Sequence, residues 1–337
     1  MTPRSPVATV AAATPGRASS TPSSTPPATG PGSATRAGCS TTSCASADRP
    51  SGVQWREVGV AADSLASVIA ATDLHWAHSR GCNGTGVLVL AGSSGRFDVA
   101  RADLLASRGV TALALRWFGG SGQPPVPSEV PLETFTAALD LLAAECDRVV
   151  LLGLSYGAEA ALLTAVRDPR VDAVVALQPS DVAWEGHRSD ETGPPRSKWT
   201  CRGAPVPFVP MDRDWEPDAG PPSFRPWYEA SKVAAGAGVV EASRIPVERF
   251  GGELVLVAGG DDQVWPSLEH ARAISARRSS HGMSTTLVSD PGAGHAVVLP
   301  GEPVGNPARP YAVGGDAGGA QRLGERAWPA IRQVLRC

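Results

Sequence analysis

The chain has 337 residues, 42% of them hydrophobic and 19% charged, with a formal net charge of −3. That length accommodates one large α/β domain or two small ones, and a slightly acidic chain gives no electrostatic case for a nucleic-acid partner or an anionic membrane. No apolar run approaches the ~20 residues that would span a bilayer.

Residues 1–54 are rich in Thr, Ser, Pro, Ala and Gly and carry almost no large apolar side chain before Trp55. Such a segment cannot bury enough surface to offset its ordering entropy, which predicts a disordered leader ahead of a folded domain over 55–337. The apolar stretch 7–13 after Arg4 is short and weak for a signal peptide, and no strong hydrophobic region precedes Cys39. The expectation is therefore a cytoplasmic protein, with secretion as the alternative. The six cysteines (Cys39, Cys44, Cys82, Cys146, Cys201 and Cys337) are scattered and suggest no disulfide framework. His75, His78 and Cys82 lie near one another beside Trp76, but no fourth ligand is nearby. They read as surface or helix-packing residues, and no metal or cofactor is expected.

Hydrophobic patterning predicts a short strand at 55–60 and a helix or irregular stretch at 63–78. Asn83-Gly84 marks a turn, and Asn83-Gly84-Thr85 reads as an incidental glycosylation sequon. A buried strand at 86–91 runs into Gly92-Ser93-Ser94-Gly95. A helix at 101–108 stops at Gly109, and a strand at 111–117 closes with Phe118-Gly119-Gly120-Ser121-Gly122. An amphipathic helix follows at 132–145, then a strand at 149–152, an Ala/Leu-rich helix after it, and a strand at 172–177. After a long gap come a strand at 253–258, a helix at 267–277, a strand at 285–288 and a helix at 321–335 that Pro329 should break or kink. Nearly continuous apolar strands alternating with helices mean a mostly parallel sheet covered on both faces. Ligands on such sheets bind at the carboxyl edge of the strands.

That edge is where the chemistry-bearing residues fall. The strand at 149–152 leads into Gly153-Leu154-Ser155-Tyr156-Gly157 and then directly into a helix. This is G-x-S-x-G in the strand–turn–helix setting of a nucleophile elbow. Glycines flank the serine because a Cβ at either place would clash where strand and helix approach. Ser155 sits at a helix N-terminus, which favours developing negative charge, and Glu159 in the first turn suits the same dipole. The strand at 253–258 is followed by Gly259-Gly260-Asp261-Asp262, and the strand at 285–288 by Gly292-Ala293-Gly294-His295. The order Ser155, Asp262, His295 is that of an α/β-hydrolase triad. In this reading Ser155 attacks an acyl carbonyl, His295 relays the proton, and Asp262 orients the imidazole. The N–H of Tyr156 would form one half of the oxyanion hole and Ser93 or Ser94 the other. Of the two adjacent acids, Asp262 occupies the usual slot and Asp261 turns or caps the loop. His270 and His281 read as solvated, and His187, in a proline-rich insert, is not expected to be the base.

Residues 86–335 resemble the C-terminal catalytic domain shared by acyl-CoA thioester hydrolases and bile acid-CoA:amino acid N-acyltransferases. The resemblance is carried by Gly92 to Phe97, by Arg101 to Gly109 with Ala112-Leu113-Ala114, and by Gly153 to Glu159. It continues through Ile245 to Arg249, Gly260-Asp261-Asp262 with Trp265, Gly292 to His295, Gly314-Gly315, Ala320-Gln321 and Trp328. It implies an α/β-hydrolase fold and places the catalytic acid on Asp262. Because the family's amino acid transferases use cysteine as nucleophile and its hydrolases serine, Ser155 implies hydrolysis. Larger members carry a β-sandwich ahead of this domain, for which the roughly thirty residues between Trp55 and Gly86 are too few.

The insertion at 178–246 holds Trp184, Trp199, Phe208, Trp215, Phe224, Trp227 and Tyr228 and shows no obvious elements. It reads either as a cap over Ser155 whose aromatics cover an acyl group, or as a loop anchored to the body by those rings. Trp117, Trp184, Trp227 and Trp265 are the substrate-contact candidates. The function expected is hydrolysis of a small-molecule acyl thioester, such as an acyl-CoA, without a cofactor. The alternatives are an ester or amide hydrolase (dienelactone hydrolase-like or peptidase-like), an acyltransferase to an amine or alcohol, and a non-catalytic binding protein.

Overall fold

The computed structural model describes residues 69–187, 193–304 and 309–337. The expected leader, the expected strand at 55–60, and Cys39 and Cys44 lie outside the described residues. In chain order the elements are β1 (Leu74–Ala77), β2 (Thr85–Leu90), α1 (Val99–Ser107), β3 (Thr111–Leu115), β4 (Val130–Pro131), α2 (Glu133–Ala143), β5 (Arg148–Leu154), α3 (Tyr156–Ala165) and β6 (Val171–Leu177). They continue with β7 (Trp199–Cys201), β8 (Ala204–Pro205), α4 (Arg225–Ala242), β9 (Glu253–Gly259), α5 (Ser267–Ser280), β10 (Thr286–Asp290) and α6 (Gly319–Leu335).

Seven strands form the main sheet in the order β1-β3-β2-β5-β6-β9-β10. All neighbours are parallel except β1, which runs antiparallel to β3. Period-two alternation divides the strands' apolar residues between two cores. The rung Leu113–Leu88–Leu151–Val174–Leu254 turns to one face and packs under α2, α3 and α5. The rung Ala114–Val89–Leu152–Val175–Val255 turns to the other, under α1 and α6. With both faces covered, the loops at the carboxyl edge are left as the place for a site.

Three expectations need correction. Residues 69–78 contain no α-helix: a 3₁₀ turn at Ala71–Asp73 leads into β1. Leu74 and Trp76 pack into one core and Ala77 into the other, so the period here is two. His75 thereby reaches Asp103 (Nε2–Oδ1, 3.0 Å) and His78 stacks on Trp76. Second, of the break or kink expected at Pro329 the break does not occur: α6 continues through it. A proline inside a helix costs about 3 kcal/mol, whereas burying Leu323, Ile331, Val334 and Leu335 contributes roughly 6–12 kcal/mol in all. Third, the insertion is structured. β7 pairs in parallel with β4 and antiparallel with β8 to make a second, three-stranded sheet. Helix α4 follows, interrupted at Gly236, where φ is +76°. Among the described residues no helix is long and apolar enough to cross a membrane.

Candidate active site

Ser155 links β5 to α3 with φ 57° and ψ −119°, a backbone conformation that L-residues avoid at a cost of about 1–3 kcal/mol. The surroundings impose it. A Cβ on Gly153 would lie 2.1 Å from the Gly157 carbonyl oxygen, and one on Gly157 would lie 2.3 Å from that of Leu90. Strand and helix therefore meet more closely than any other residue type permits. The Ser155 N–H donates to Leu177 O of the neighbouring strand (2.9 Å), and its carbonyl accepts from Ala158 N (2.9 Å) and Glu159 N (3.1 Å). The serine is thus pinned on both sides of the turn. It lines a cavity of about 320 Å³ together with Gly92, Ser93, Ser94, Leu154 and His295.

His295 comes to this cavity on the loop after β10, fixed by its own N–H donating to Val313 O (2.7 Å). Its Nδ1 lies 2.8 Å from Asp262 Oδ2. The Asp262 side chain is fully buried, and its other oxygen accepts from Val264 N (2.8 Å) and Trp265 N (3.3 Å). A carboxylate so held selects the imidazole tautomer that carries its proton on Nδ1 and leaves Nε2 as a base. Among the described residues no hydrogen bond joins Ser155 Oγ to His295, and in ligand-free sites such bonds are often long. Asp261 is employed elsewhere: its Oδ2 accepts from Gly315 N (2.8 Å) and its Oδ1 from Gln263 Nε2 (2.7 Å), which shapes the loop.

The tryptophans do not share one role. Trp117, Trp184 and Trp265 are at most 3% exposed, and none lines the Ser155 cavity. Trp117 donates to Ala91 O (3.2 Å), behind the loop that carries Ser93. Trp265 lies edge-on to the His295 ring, with centroids 5.8 Å apart. Trp184 anchors the insertion. Trp227 lines a separate cavity with Tyr156, Glu185, His187 and Tyr228. Another expectation is corrected here: His270 is not solvated. It is 2% exposed, on the face of α5 turned toward Trp184 and Trp265.

The largest feature that sequence reasoning missed is what Glu159 does. It is fully buried, and its Oε1 accepts from the Trp184 N–H (3.0 Å) and from Trp199 Nε1 (2.6 Å). Its Oε2 accepts from Lys198 Nζ (2.9 Å), itself fully buried and 3.3 Å from the centre of the Tyr156 ring. Burial pushes the Lys198 ammonium below the ordinary lysine value, against the pull of Glu159. The insertion is thus tied to the helix that begins at the elbow. The available signal was an acid in an otherwise apolar helix, which must be buried and therefore needs a partner. Beside it, Tyr156 Oη is 2.7 Å from Tyr228 Oη and 2.9 Å from His187 Nε2. His187 therefore meets the ring of the residue after Ser155 and not the serine itself. Among the described residues no group of His, Cys, Asp and Glu could hold a metal ion.

A sheet of this order, a strained serine between strand and helix, and an Asp–His pair on later loops define an α/β-hydrolase. Residues 130–314 match the model of the family "BAAT / Acyl-CoA thioester hydrolase C terminal", and the chain belongs to that family. Acyl-coenzyme A amino acid N-acyltransferase 2 of Mus musculus is 28% identical over 266 residues, 74% of this chain and 59% of that protein. Acyl-coenzyme A thioesterase 2, mitochondrial, of Mus musculus is 30% identical over 223 residues, 64% of this chain and 45% of that protein. The chain spans about half the length of the curated relatives it matches. Among solved structures, Est1E from Butyrivibrio proteoclasticus aligns with a TM-score of 0.45 and 14% identity, covering 78% of this chain and 94% of that one.

Proposed function

We propose that the chain is a serine hydrolase of acyl thioesters, an acyl-CoA or a related carrier thioester, working through Ser155, His295 and Asp262. Ser155 Oγ adds to the thioester carbonyl as its proton passes to His295 Nε2. The tetrahedral oxyanion is held by the backbone N–H of Tyr156 and one from Ser93 or Ser94. The imidazolium then gives its proton to the departing thiolate, leaving an acyl-serine. Water, deprotonated by His295, releases the carboxylic acid and restores Ser155. The single observation that carries this reading is the 2.8 Å pairing of His295 with buried Asp262, on a histidine that shares its cavity with a serine on a strained elbow. The thioester specificity draws on the relatives, whose names include acyl-CoA thioesterases.

The test is release of free thiol from a panel of acyl-CoAs, with matched p-nitrophenyl esters alongside. Thioesters should turn over faster than esters. A chain that cleaves only esters would keep the nucleophile and lose the substrate assignment. A second reading is favoured by the N-acyltransferases among the relatives: the acyl-serine passes to an amino acid instead of water. Adding an amino acid and looking for the conjugate by mass spectrometry separates the two.

A further inference from the structure

We propose that Arg96 and Arg309 form an anion clamp in the Ser155 cavity, so that the preferred substrate carries an anionic group on its acyl chain or its carrier. The proposal rests on the hydrolase reading above and adds a substrate class to it. Both arginines line the cavity that holds Ser155 and His295. Among the described residues neither makes an ion pair with a carboxylate, although Arg309 also lines a neighbouring cavity with Asp98 and Glu302, both bound to Arg101. Arg309 Nη1 donates to Tyr311 Oη (2.7 Å), its guanidinium over the same ring, and Tyr311 lines the cavity too. Arg96 makes no side-chain hydrogen bond or ion pair among the described residues.

The one acid in that lining is already committed. Asp98 Oδ2 accepts from Arg101 Nη1 (2.9 Å), and Arg101 is buried and also held by Glu302 (2.7 and 3.1 Å). Among the described residues two guanidiniums that line the Ser155 cavity are therefore left without an ion pair. Other arginines of the molecule find carboxylates: Arg116 pairs with Asp73, Arg148 with Glu253 and Arg277 with Glu248. A guanidinium presents a planar fork that fits a carboxylate or a phosphate, and a partly enclosed cavity strengthens the attraction. The anion could be a carboxylate at the far end of the acyl group or a phosphate on the carrier.

The experiment measures hydrolysis by the full chain of thioesters with and without a terminal acyl carboxylate, each on coenzyme A and on phosphate-free N-acetylcysteamine. Wild type is compared with Arg96→Gln, Arg309→Gln and the double variant. For the charged substrates, KM in the double variant should rise roughly 10- to 100-fold with kcat changed little, since a charged hydrogen bond contributes about 1.5–3 kcal/mol. The wild-type preference for charged substrates should also weaken in about 0.5 M salt. A KM rise that follows the acyl carboxylate on both carriers assigns the clamp to the acyl group. A rise that follows coenzyme A with either acyl group assigns it to the carrier. Equal effects on charged and neutral substrates, or none, would overturn the clamp while leaving the hydrolase reading intact. Should wild type hydrolyse none of them and a fluorophosphonate leave Ser155 unlabelled, the hydrolase reading falls. Calorimetry with coenzyme A and with succinate then decides the clamp alone: at least tenfold weaker binding of either by the double variant supports it, and no difference rejects it.

Discussion

The elbow and the insertion are held by different kinds of interaction. At the elbow the decisive residue types lie within five positions, packed against the neighbouring strands at Leu90 and Leu177. Gly153 and Gly157 permit a backbone approach that no Cβ would survive, and Ser155 takes its positive φ between them. The insertion buries Val182, Trp184, Trp199 and Val209 in the apolar core, and its place there is further set by charged and polar side chains far apart in sequence. Glu159 meets Lys198 across 39 positions, and Asp181 meets Lys232 and Arg244 across 51 and 63. Backbone geometry of the first kind is specified by residue type alone. Pairing of the second kind depends on where the chain returns, so each partner looks like an ordinary polar residue until the fold is known. The two regions also fail differently: the elbow through sterics, the insertion through an uncompensated buried charge.

The sharpest way to break the comparison lies at the two adjacent aspartates. Asp262→Asn should lower kcat by about 10⁴, because the amide no longer holds the imidazole in its working tautomer. Asp261→Asn should change kcat by less than about tenfold, since its carboxylate serves only the loop. Steady-state kinetics of both variants checks the division, and equal losses would refute it. At the insertion, Glu159→Leu strands a buried ammonium and should cost about 3–5 kcal/mol of stability in denaturant titrations. Adding Lys198→Met should recover much of that loss, because well-packed apolar residues often replace a buried ion pair without penalty. A double variant no more stable than the single one would mean that Glu159 matters through the two tryptophans it binds.

A smaller effect concerns His270, packed against Asp181 at the base of the insertion with its Nε2 3.6 Å from Asp181 Oδ1. Burial, with the Lys232 charge adding to it, pushes His270 down from 6.5 to about 4, although Asp181 pulls the other way. Arg244 completes the set of charges around Asp181. Its folded value is depressed, so the unfolded chain takes up the proton first as pH falls. Stability is thus full above about pH 6.5 and declines toward pH 4, by a total on the order of 3 kcal/mol. Melting temperatures of wild type and His270→Leu across that range should converge as the pH is lowered. Parallel curves would show that acid loss originates elsewhere.

The same contrast explains what could be read in advance. Strand and helix positions, the Ser155 turn and the loops bearing Asp262 and His295 follow from apolar periodicity and glycine spacing, which act over a few residues. Trp184 and Trp265 could not be separated from Trp227 in the sequence, because aromatic type does not say whether a ring ends in a core or on a cavity. The burial of His270 is hidden in the sequence for a related reason. Helix α5 is polar in composition, and only its packing reveals that one face is buried. The break expected at Pro329 is absent because a local penalty competes with a burial term that depends on the whole sheet. The strand at 74–77 was hidden by its shortness: four residues carry too little alternation to outweigh a helical-looking neighbourhood.

The central claim is that Ser155 forms an acyl-enzyme, and covalent trapping tests it most directly. A fluorophosphonate should add one adduct to the wild-type chain, located by mass spectrometry on the peptide containing Ser155. It should abolish thiol release from an acyl-CoA in proportion to labelling. The Ser155→Ala variant should take up no label and lose thiol release by at least about 10⁴. Thiol release that persists in Ser155→Ala at near the wild-type rate, or a label that maps to another residue, would contradict the account.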